Sequence, residues 1–227
     1  MTSKEKRVAL QRRIGVAADG DFGSKSKARL LELLTNPKPV LLTPSDLQRT
    51  ADLLRAPVAI IRAVRKVEAP RGAFDSNGRP SILFERHKFR AHSNGAFDDV
   101  APDLSGPPYG AGGYGTFAGQ YDKLMRACSL DPEAAFNACS WGAFQVLGEN
   151  AAAMGYGTAI DMAFALVAGE PAHLECFVRF VRMKRLEDEL RACLPGDPGS
   201  CIPFVTGYNG TGFRQFGYHV KLAEAAL

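Results

Sequence analysis

The amino-acid sequence predicts a mainly α-helical fold with a small β element. Apolar residues recur at three- and four-residue spacing over most of the 227 residues, and several of these stretches begin at a helix-capping residue. One short apolar run, residues 82–84, follows a Gly-Arg-Pro turn and is typical of a strand. Hydrophobic residues make up 46% of the chain and charged residues 23%, as in an ordinary globular domain with its own core.

Residues 1–36 are predicted to form a helix, a turn and a second helix. Gly15 is expected to end the first helix, and Ser24 is expected to cap the second. Five short motifs follow one another here: Leu10-Gln11, Ile14-Gly15, Asp19-Gly20, Phe22-Gly23 and Ala28. They resemble the second half of the peptidoglycan-binding repeat of wall hydrolases. The first half is absent, so the segment is either a partial wall-binding unit or a helical cap on the rest of the chain.

Residues 37–42 are predicted to be a linker, because Asn36-Pro37-Lys38-Pro39 contains two prolines. Residues 43–227 would then form one catalytic domain. That domain is expected to open at Thr43-Pro44-Ser45-Asp46, a variant of the capping box with proline at the first helical position.

Glu68 lies at the end of the next predicted helix, which opens at Pro57. Ile61, Val64 and Glu68 fall at helical spacing, so the glutamate lies on the apolar stripe. A carboxylate is rarely placed there, which makes Glu68 a candidate functional residue.

Residues 90–117 are predicted to form a long loop rich in Gly, Pro and Ser. Loops of this length in a compact domain are usually functional or disordered. Tyr109 and Tyr114 suit a lip that contacts a sugar, among other uses of exposed aromatic residues.

The remaining chain is predicted to be helical, with two interruptions. Helices are expected over residues 120–128, 133–138, 159 onwards and 171–190, and a last helix is expected around Val220. The stretch 140–145 breaks the helical pattern around the single tryptophan, Trp141. Tyr208-Asn209-Gly210 is expected to be a turn before the last helix.

The positive charge is concentrated near the N-terminus. The net charge is +4, and residues 1–35 alone carry that surplus, so the remaining chain is neutral. Such a basic segment suits an anionic partner such as nucleic acid or a cell envelope, or simply a solvated surface.

The cysteines and the N-terminus indicate the compartment. The five cysteines are odd in number and show no C-x-x-C spacing, so buried reduced thiols are expected instead of disulfides or a metal site. No apolar stretch approaches the roughly 18–20 residues that span a bilayer. The basic N-terminus leads into Leu10-Gln11-Arg12-Arg13, so no secretory signal is expected, and synthesis in a cytoplasm is predicted.

Two glutamates suggest acid–base chemistry. Burial at the helix end should raise the pKa of Glu68, and a protonated carboxyl can donate to a glycosidic oxygen. Glu85, 17 residues later, is a candidate for a second carboxylate that activates water. The structural alternative is an ion pair with Arg62 or Arg86. His87 has no His or Cys cluster near it in the sequence, so no metal site is expected.

Four segments, 60–68, 82–89, 140–148 and 208–210, occur in a fixed order. They contain the Phe-Glu-Arg-His and Ser-Trp-Gly-Ala-Phe-Gln motifs, and they resemble the N-acetylmuramidase family of modular phage endolysins over about residues 43–225. The same segments are distantly similar to goose-type lysozymes and soluble lytic transglycosylases. The resemblance implies a lysozyme-like catalytic domain of the goose-type lysozyme or lytic transglycosylase kind.

The resemblance also implies roles for individual residues. Glu68 matches the general acid and Glu85 the second catalytic carboxylate. Five further positions match substrate-binding residues of the cleft: Ser140, Trp141, Gln145, Tyr208 and Asn209. The family usually has a small residue and then Gly after the first glutamate, whereas Ala69-Pro70-Arg71-Gly72 stands here. We expect a wide separation of the two carboxyl groups, as in inverting enzymes, where it is about 6.5–9.5 Å.

The predicted function is hydrolysis of the β-1,4 bond between N-acetylmuramic acid and N-acetylglucosamine in peptidoglycan. No cofactor is expected. The expected partner is the bacterial glycan strand, without nucleic acid or stable membrane association, and the protein is expected to be a monomer. It is predicted to accumulate in the host bacterial cytoplasm and to act on the wall after release. Two alternatives are a lytic transglycosylase that leaves anhydro-muramic ends and a non-catalytic cell-wall-binding protein.

Overall fold

The computed structural model describes residues 1–108 and 114–227. These residues contain thirteen α-helices and a three-stranded sheet. This confirms the predicted mainly α fold with a small β element. Tyr109, expected on the lip of a cleft, lies outside the described residues. The helices are α1 (Ser3–Ile14), α2 (Ser24–Leu33), α3 (Pro44–Leu54), α4 (Val58–Glu68), α5 (Arg86–His92), α6 (Gln120–Leu130), α7 (Pro132–Asn137), α8 (Ala159–Leu166), α9 (Glu170–Lys184), α10 (Glu187–Ala192), α11 (Pro198–Asn209), α12 (Phe213–Phe216) and α13 (Tyr218–Ala225). The strands are β1 (Ile82–Phe84), β2 (Cys139–Trp141) and β3 (Val146–Leu147).

Helices α1 and α2 form the predicted pair. Gly15 ends α1 with a φ of 75°, a left-handed conformation that favours glycine. Ser24 is the first residue of α2 and Gly23 precedes it as the cap, so the prediction that Ser24 caps this helix was wrong by one residue. Gln11 is buried, and its side chain donates to Asp19 and accepts from the backbone N–H of Gly20. These motif residues therefore fix the turn between the two helices.

Both the helical pair and the linker contact the rest of the chain. Lys6 forms an ion pair of 2.8 Å with Asp131, and Arg13 forms one of 2.6 Å with Asp161. In the linker, the backbone N–H of Leu42 donates to Glu170, a buried carboxylate that also pairs with Arg65. Residues 1–42 are thus held by specific polar contacts. The division into 1–36, 37–42 and 43–227 remains a proposal.

Helix α4 carries the first candidate residue to its place. The preceding helix, α3, begins with the predicted capping box, in which Thr43 and Asp46 exchange hydrogen bonds. Pro57 precedes α4, and Ile60, Ile61 and Val64 bury one face of it against α3 and α13. Because this face is packed, the C-terminal end of α4 has a defined position.

The sheet has the order β1-β2-β3 with antiparallel neighbours. Ile82 pairs with Trp141 and Leu83 with Ser140. Ile82 and Trp141 point into the core, so Leu83 and Ser140 share the opposite face. The sequence predicted β1 alone, because β2 and β3 have only three and two residues and a 3₁₀ turn separates them.

Three helical segments differ from the prediction. Helix α5 begins directly after Glu85 and takes the first part of the predicted loop. The predicted helix 171–190 is divided, because Arg185 takes a left-handed conformation between α9 and α10. Helix α11 was missed. The expected turn 208–210 is therefore wrong, since Tyr208 and Asn209 are the last two residues of α11.

The composition of α11 explains why it was missed. Gly199, Pro203 and Gly207 all have low helix propensity. A Cβ on Gly207 would lie 2.3 Å from the side chain of Leu186, so this glycine permits close packing against the segment before α10. Tertiary contact therefore overrides local propensity here.

All five cysteines are buried free thiols, as expected from their apolar neighbours. Among the described residues, the helices lack the combination of length and apolar character that would let one of them cross a bilayer.

Candidate active site

Glu68 is the last residue of α4, and its carboxyl group faces a cleft. It is surrounded by protein on most sides and reaches solvent through the cleft. Burial raises the pKa of Glu68 to about 7, and a hydrogen bond from Asn209 opposes this rise. At neutral pH a substantial fraction of this carboxyl is therefore protonated. The pKa of Glu68 is thus raised, as its place at the buried end of a helix predicts.

Asn209 and Tyr208 come from the end of α11. The side-chain amide of Asn209 donates to Oε1 of Glu68 at 2.8 Å. The hydroxyl of Tyr208 donates to the carbonyl oxygen of Phe144 at 2.6 Å, and its ring stacks on Phe204. Asn209 thus touches the candidate acid, while Tyr208 supports the turn that follows β2.

The cleft has a volume of about 270 Å³. Its walls are formed by the end of α4, the turn after it and β1, together with the loop before α6 and the turn after β2. The lining residues are Glu68, Ala69, Pro70, Arg71, Gly72, Ser81, Ile82, Leu83, Gly115, Phe117, Gln120 and Gln145. Of the seven predicted site residues, Glu68 and Gln145 line this cavity directly.

Glu85 follows β1 on the same side of the sheet as Leu83. Its Oε1 accepts a hydrogen bond of 3.1 Å from Ser140, and its Oε2 lies 3.5 Å from Nε2 of His87. Burial raises the pKa of Glu85, while the charge of His87 and the hydrogen bond from Ser140 oppose this rise. Glu85 lies beyond the residues that line the 270 Å³ cavity, whose wall on this strand ends at Leu83.

The structural alternative for the two glutamates was an ion pair with arginine. Within residues 1–108 and 114–227, neither Glu68 nor Glu85 forms one. Arg86 instead donates to the carbonyl oxygen of Pro102. Glu68 therefore has Asn209 as its hydrogen-bond donor, and Glu85 has Ser140 and His87 as partners.

The turn after β2 brings Gln145 to the cleft. Gly142 has a φ of 71°, and a Cβ there would lie 2.7 Å from Nδ1 of His173. That nitrogen accepts the backbone N–H of Ala143 at 2.9 Å, and Nε2 donates to the carbonyl oxygen of Leu166. Burial lowers the pKa of His173 to about 4, so the ring is neutral at pH 7. Gln145 ends the turn in a left-handed conformation.

Trp141 is not among the residues that line this cavity, and its predicted contact with substrate stays a prediction. Its side chain is 1% exposed, stacks on Phe136 and donates to the carbonyl oxygen of that residue at 3.2 Å. The pairing of Trp141 with Ile82 directs both side chains to the core face of the sheet. Trp141 therefore supports the sheet from behind.

Sequence reasoning missed two buried polar residues that hold the cleft together. Ser81 donates to the carbonyl oxygen of Gly72, and its own carbonyl accepts from the backbone of Gly142 and from Gln145. Gln120 accepts the free N–H of Phe84 at the edge of β1, and its amide donates to the loop that precedes α6. No periodic signal marks such residues, because their importance depends on contacts between distant segments.

A bound metal ion would need several ligand side chains close together. In the parts of the chain that the structure describes, no three His, Cys, Asp or Glu side chains are grouped so that they could hold a metal ion. The site instead offers two carboxyl groups. Glu68 has a pKa near neutrality, and Glu85 follows β1 on the side of the sheet that Leu83 faces.

The chain matches a family profile and solved structures of known proteins. A profile of the N-acetylmuramidase family matches residues 57–226. The crystal structure of a Burkholderia AP3 phage endolysin is similar over 99% of this chain and 84% of that chain, with 34% sequence identity and a TM-score of 0.69. A comparison with curated proteins gives no significant match.

Proposed function

Because the chain belongs to the N-acetylmuramidase family, we propose that Glu68 is the general acid with which it hydrolyses peptidoglycan. The protein is a glycoside hydrolase that cleaves the β-1,4 bond between N-acetylmuramic acid and N-acetylglucosamine. The pKa of about 7 supports this role for Glu68, since the acid must be protonated at the pH of the reaction. Its position on the cleft wall lets it reach a bound glycan.

In the proposed reaction Glu68 transfers its proton to the glycosidic oxygen as the bond to the anomeric carbon breaks. Positive charge develops on the sugar ring in the transition state. Glu85 accepts a proton from the water that attacks the anomeric carbon. Release of the two products and proton exchange with solvent restore both carboxyl groups.

Ser140 and Asn209 have positioning roles in this proposal. Each donates one hydrogen bond to one carboxyl oxygen, Ser140 to Glu85 and Asn209 to Glu68. Each donor fixes one oxygen. The other oxygen of Glu68 is left to the substrate, while Oε2 of Glu85 lies 3.5 Å from Nε2 of His87. Gln145 is proposed to contact the glycan from the cleft wall, and Tyr208 to hold the turn that carries Gln145.

The ordered second carboxyl favours hydrolysis over transglycosylation. A lytic transglycosylase needs one acid, because the muramic acid hydroxyl replaces water as nucleophile. The hydrogen bond from Ser140 holds Glu85 in a defined place, which supports a role for it in activating water. A non-catalytic wall-binding protein would have no use for the raised pKa of Glu68.

Mass spectrometry of digested peptidoglycan tests this function. Hydrolysis predicts products with a reducing muramic acid end, one water heavier than the anhydro products of a transglycosylase. Glu68→Gln should release neither product, and Glu85→Gln should release the reducing product at a much lower rate. Anhydro ends from the wild-type protein would contradict the proposed role of Glu85, and no product at all would favour the binding protein.

We also propose how the protein is organised and where it acts. Residues 1–36 form a fixed helical extension that contacts wall glycan, and residues 43–227 act as a monomer without nucleic acid or membrane partners. The protein accumulates in the host cytoplasm and reaches the wall after release. Sedimentation of the pure protein and pull-down of residues 1–227 and 37–227 with insoluble peptidoglycan test these points.

A further inference from the structure

The turn that follows Glu68 presents one cation to the cleft. The backbone N–H of Gly72 donates to the carbonyl oxygen of Ala69 at 2.9 Å, which closes a four-residue turn with Pro70 and Arg71 at its centre. Proline in the second position fixes the backbone before Arg71. The carbonyl of Gly72 accepts the hydroxyl of the buried Ser81 at 2.7 Å. The backbone of Arg71 is therefore anchored on both sides.

The side chain of Arg71 lies over an aromatic ring on the facing wall. Its guanidinium carbon is 5.4 Å from the ring centre of Phe117, and both residues line the cavity that contains Glu68. Phe117 belongs to the loop whose carbonyl groups Gln120 holds against β1. A ring in this position orients a guanidinium plane and leaves its N–H groups free along the edge.

Arg71 is exposed at the centre of the turn that follows Glu68. Among the described residues, it forms no ion pair with a carboxylate. Nor does it act on the candidate acid, since burial and Asn209 account for the shifted pKa of Glu68. A fixed cation beside the acid, with its donors unused, is a feature that binds a ligand anion.

We propose that Arg71, oriented by Phe117, binds a carboxylate on the muramic acid side of the substrate and so determines which glycans enter the cleft. This inference rests on the proposed function, because it assumes that the cleft holds peptidoglycan. The anion has two sources there: the carboxylates of the stem peptide where one is attached, and the lactyl carboxylate of muramic acid where the peptide has been removed. A glycan built from N-acetylglucosamine alone carries neither.

Binding measurements test the proposal on three ligands. They are a peptide-bearing muropeptide tetrasaccharide, the same tetrasaccharide after amidase has removed the peptides, and chitotetraose. Calorimetry gives the Kd of each for Glu68→Gln and for Glu68→Gln combined with Arg71→Gln. The expected result is a Kd raised by about tenfold for a carboxylate-bearing ligand and unchanged for chitotetraose, in line with the loss of one charge-assisted pair.

The pattern of losses identifies the source of the anion. A weaker Kd for the peptide-free ligand alone assigns the lactyl carboxylate, because the stem peptide blocks that group as an amide in the other ligand. A weaker Kd for the peptide-bearing ligand alone assigns the stem peptide, and a weaker Kd for both shows that Arg71 binds whichever carboxylate is present. Arg71→Lys should lie between wild type and Arg71→Gln, because it keeps the charge and loses the planar fork. Arg62→Gln, an exposed arginine on α4 that lines no part of the cavity, is the matched control.

Two results would overturn the proposal. One is an unchanged Kd for both muramic ligands, and the other is an equal loss for chitotetraose. Neither depends on the identity of the acid. A failure of the proposed function would instead appear as cleavage products from Glu68→Gln, which the same samples reveal by mass spectrometry.

Discussion

The side-chain amide of Asn209 donates a 2.8 Å hydrogen bond to Oε1 of Glu68 and so joins the last residue of α11 to the last residue of α4. An N–H donor stabilises the ionised carboxylate, so this bond keeps the pKa of Glu68 lower than burial alone would set it. The contact therefore both places the acid and adjusts the pH range in which it is protonated.

Asn209→Ala should move the alkaline limb of the pH–rate profile to higher pH. Without the donor the pKa of Glu68 rises further above its ordinary value, and the protonated acid persists into more alkaline solution. The rate at the optimum should also fall, because the carboxyl is less well placed. Rates of wall lysis between pH 5 and 9 give the profile. Asn77→Ala, an exposed turn residue, is the control, and a limb that stays in place or moves to lower pH would refute the link.

Glu68→Gln should stabilise the protein at alkaline pH. The pKa of Glu68 is about 7 in the folded chain against 4.5 without burial, so the folded state binds the proton more tightly. Wild-type stability therefore falls as the pH rises from about 4.5 to about 7, by at most about 3 kcal/mol. Glutamine does not ionise and avoids this loss.

Urea unfolding at pH 4 and pH 8 measures the effect. The free energy of unfolding of Glu68→Gln should exceed that of wild type by about 1–3 kcal/mol at pH 8, and the two should be similar at pH 4. The other titratable groups are the same in both proteins, so their contributions cancel in the difference between the two free energies of unfolding. A difference that is the same at both pH values would mean that Glu68 is not buried in its charged form.

The first sugar product should be the α-anomer, which indicates inversion of the β bond. Glu85 lies two residues beyond Leu83, the last residue of β1 on the cavity wall, and two strand residues extend about 7 Å. We therefore expect a wide separation of the two carboxyl groups, in the range of about 6.5–9.5 Å that leaves room for water. Proton NMR within the first minutes of digestion distinguishes the anomers, and an initial excess of β-anomer would show retention.

Gly142→Ala should destabilise the fold and impair lysis together. The added Cβ would lie 2.7 Å from Nδ1 of His173, at a φ of 71° that disfavours side chains. Overlap and backbone strain should cost about 2–4 kcal/mol. Gly212→Ala is the matched control, since a Cβ there meets no atom within 4 Å. Thermal unfolding compares the transition temperatures of the two variants. Equal temperatures would show that the turn can shift to accept a side chain at residue 142.

Local signals in the sequence were sufficient to predict the elements that carry Glu68. The reciprocal hydrogen bonds of Thr43 and Asp46 depend on residues three apart, and Pro57 marks the start of α4 by itself. The place of Glu68 on the apolar stripe follows from helical spacing. Each of these features depends on residues within one or two helical turns of each other, so it could be predicted from the sequence.

Contacts between distant segments could not be predicted in this way. Asn209 meets Glu68 across 141 residues of sequence, and α11 contains residues that oppose helix formation. The core position of Trp141 depends on its register with Ile82, which a three-residue strand does not reveal. Arg71 and Phe117 come together only when the loop before α6 folds over the cleft. These relationships are set by tertiary packing.

The initial rate of lysis of purified peptidoglycan by Glu68→Gln shows whether Glu68 supplies the proton. Glu175→Gln is the matched control, because Glu175 is an exposed carboxylate of α9 paired with Arg179. If Glu68 is the general acid, Glu68→Gln loses about 10²–10⁴-fold in rate, the usual contribution of such a group, while the control keeps wild-type activity. A Glu68→Gln variant that lyses peptidoglycan within a factor of a few of wild type would contradict this role.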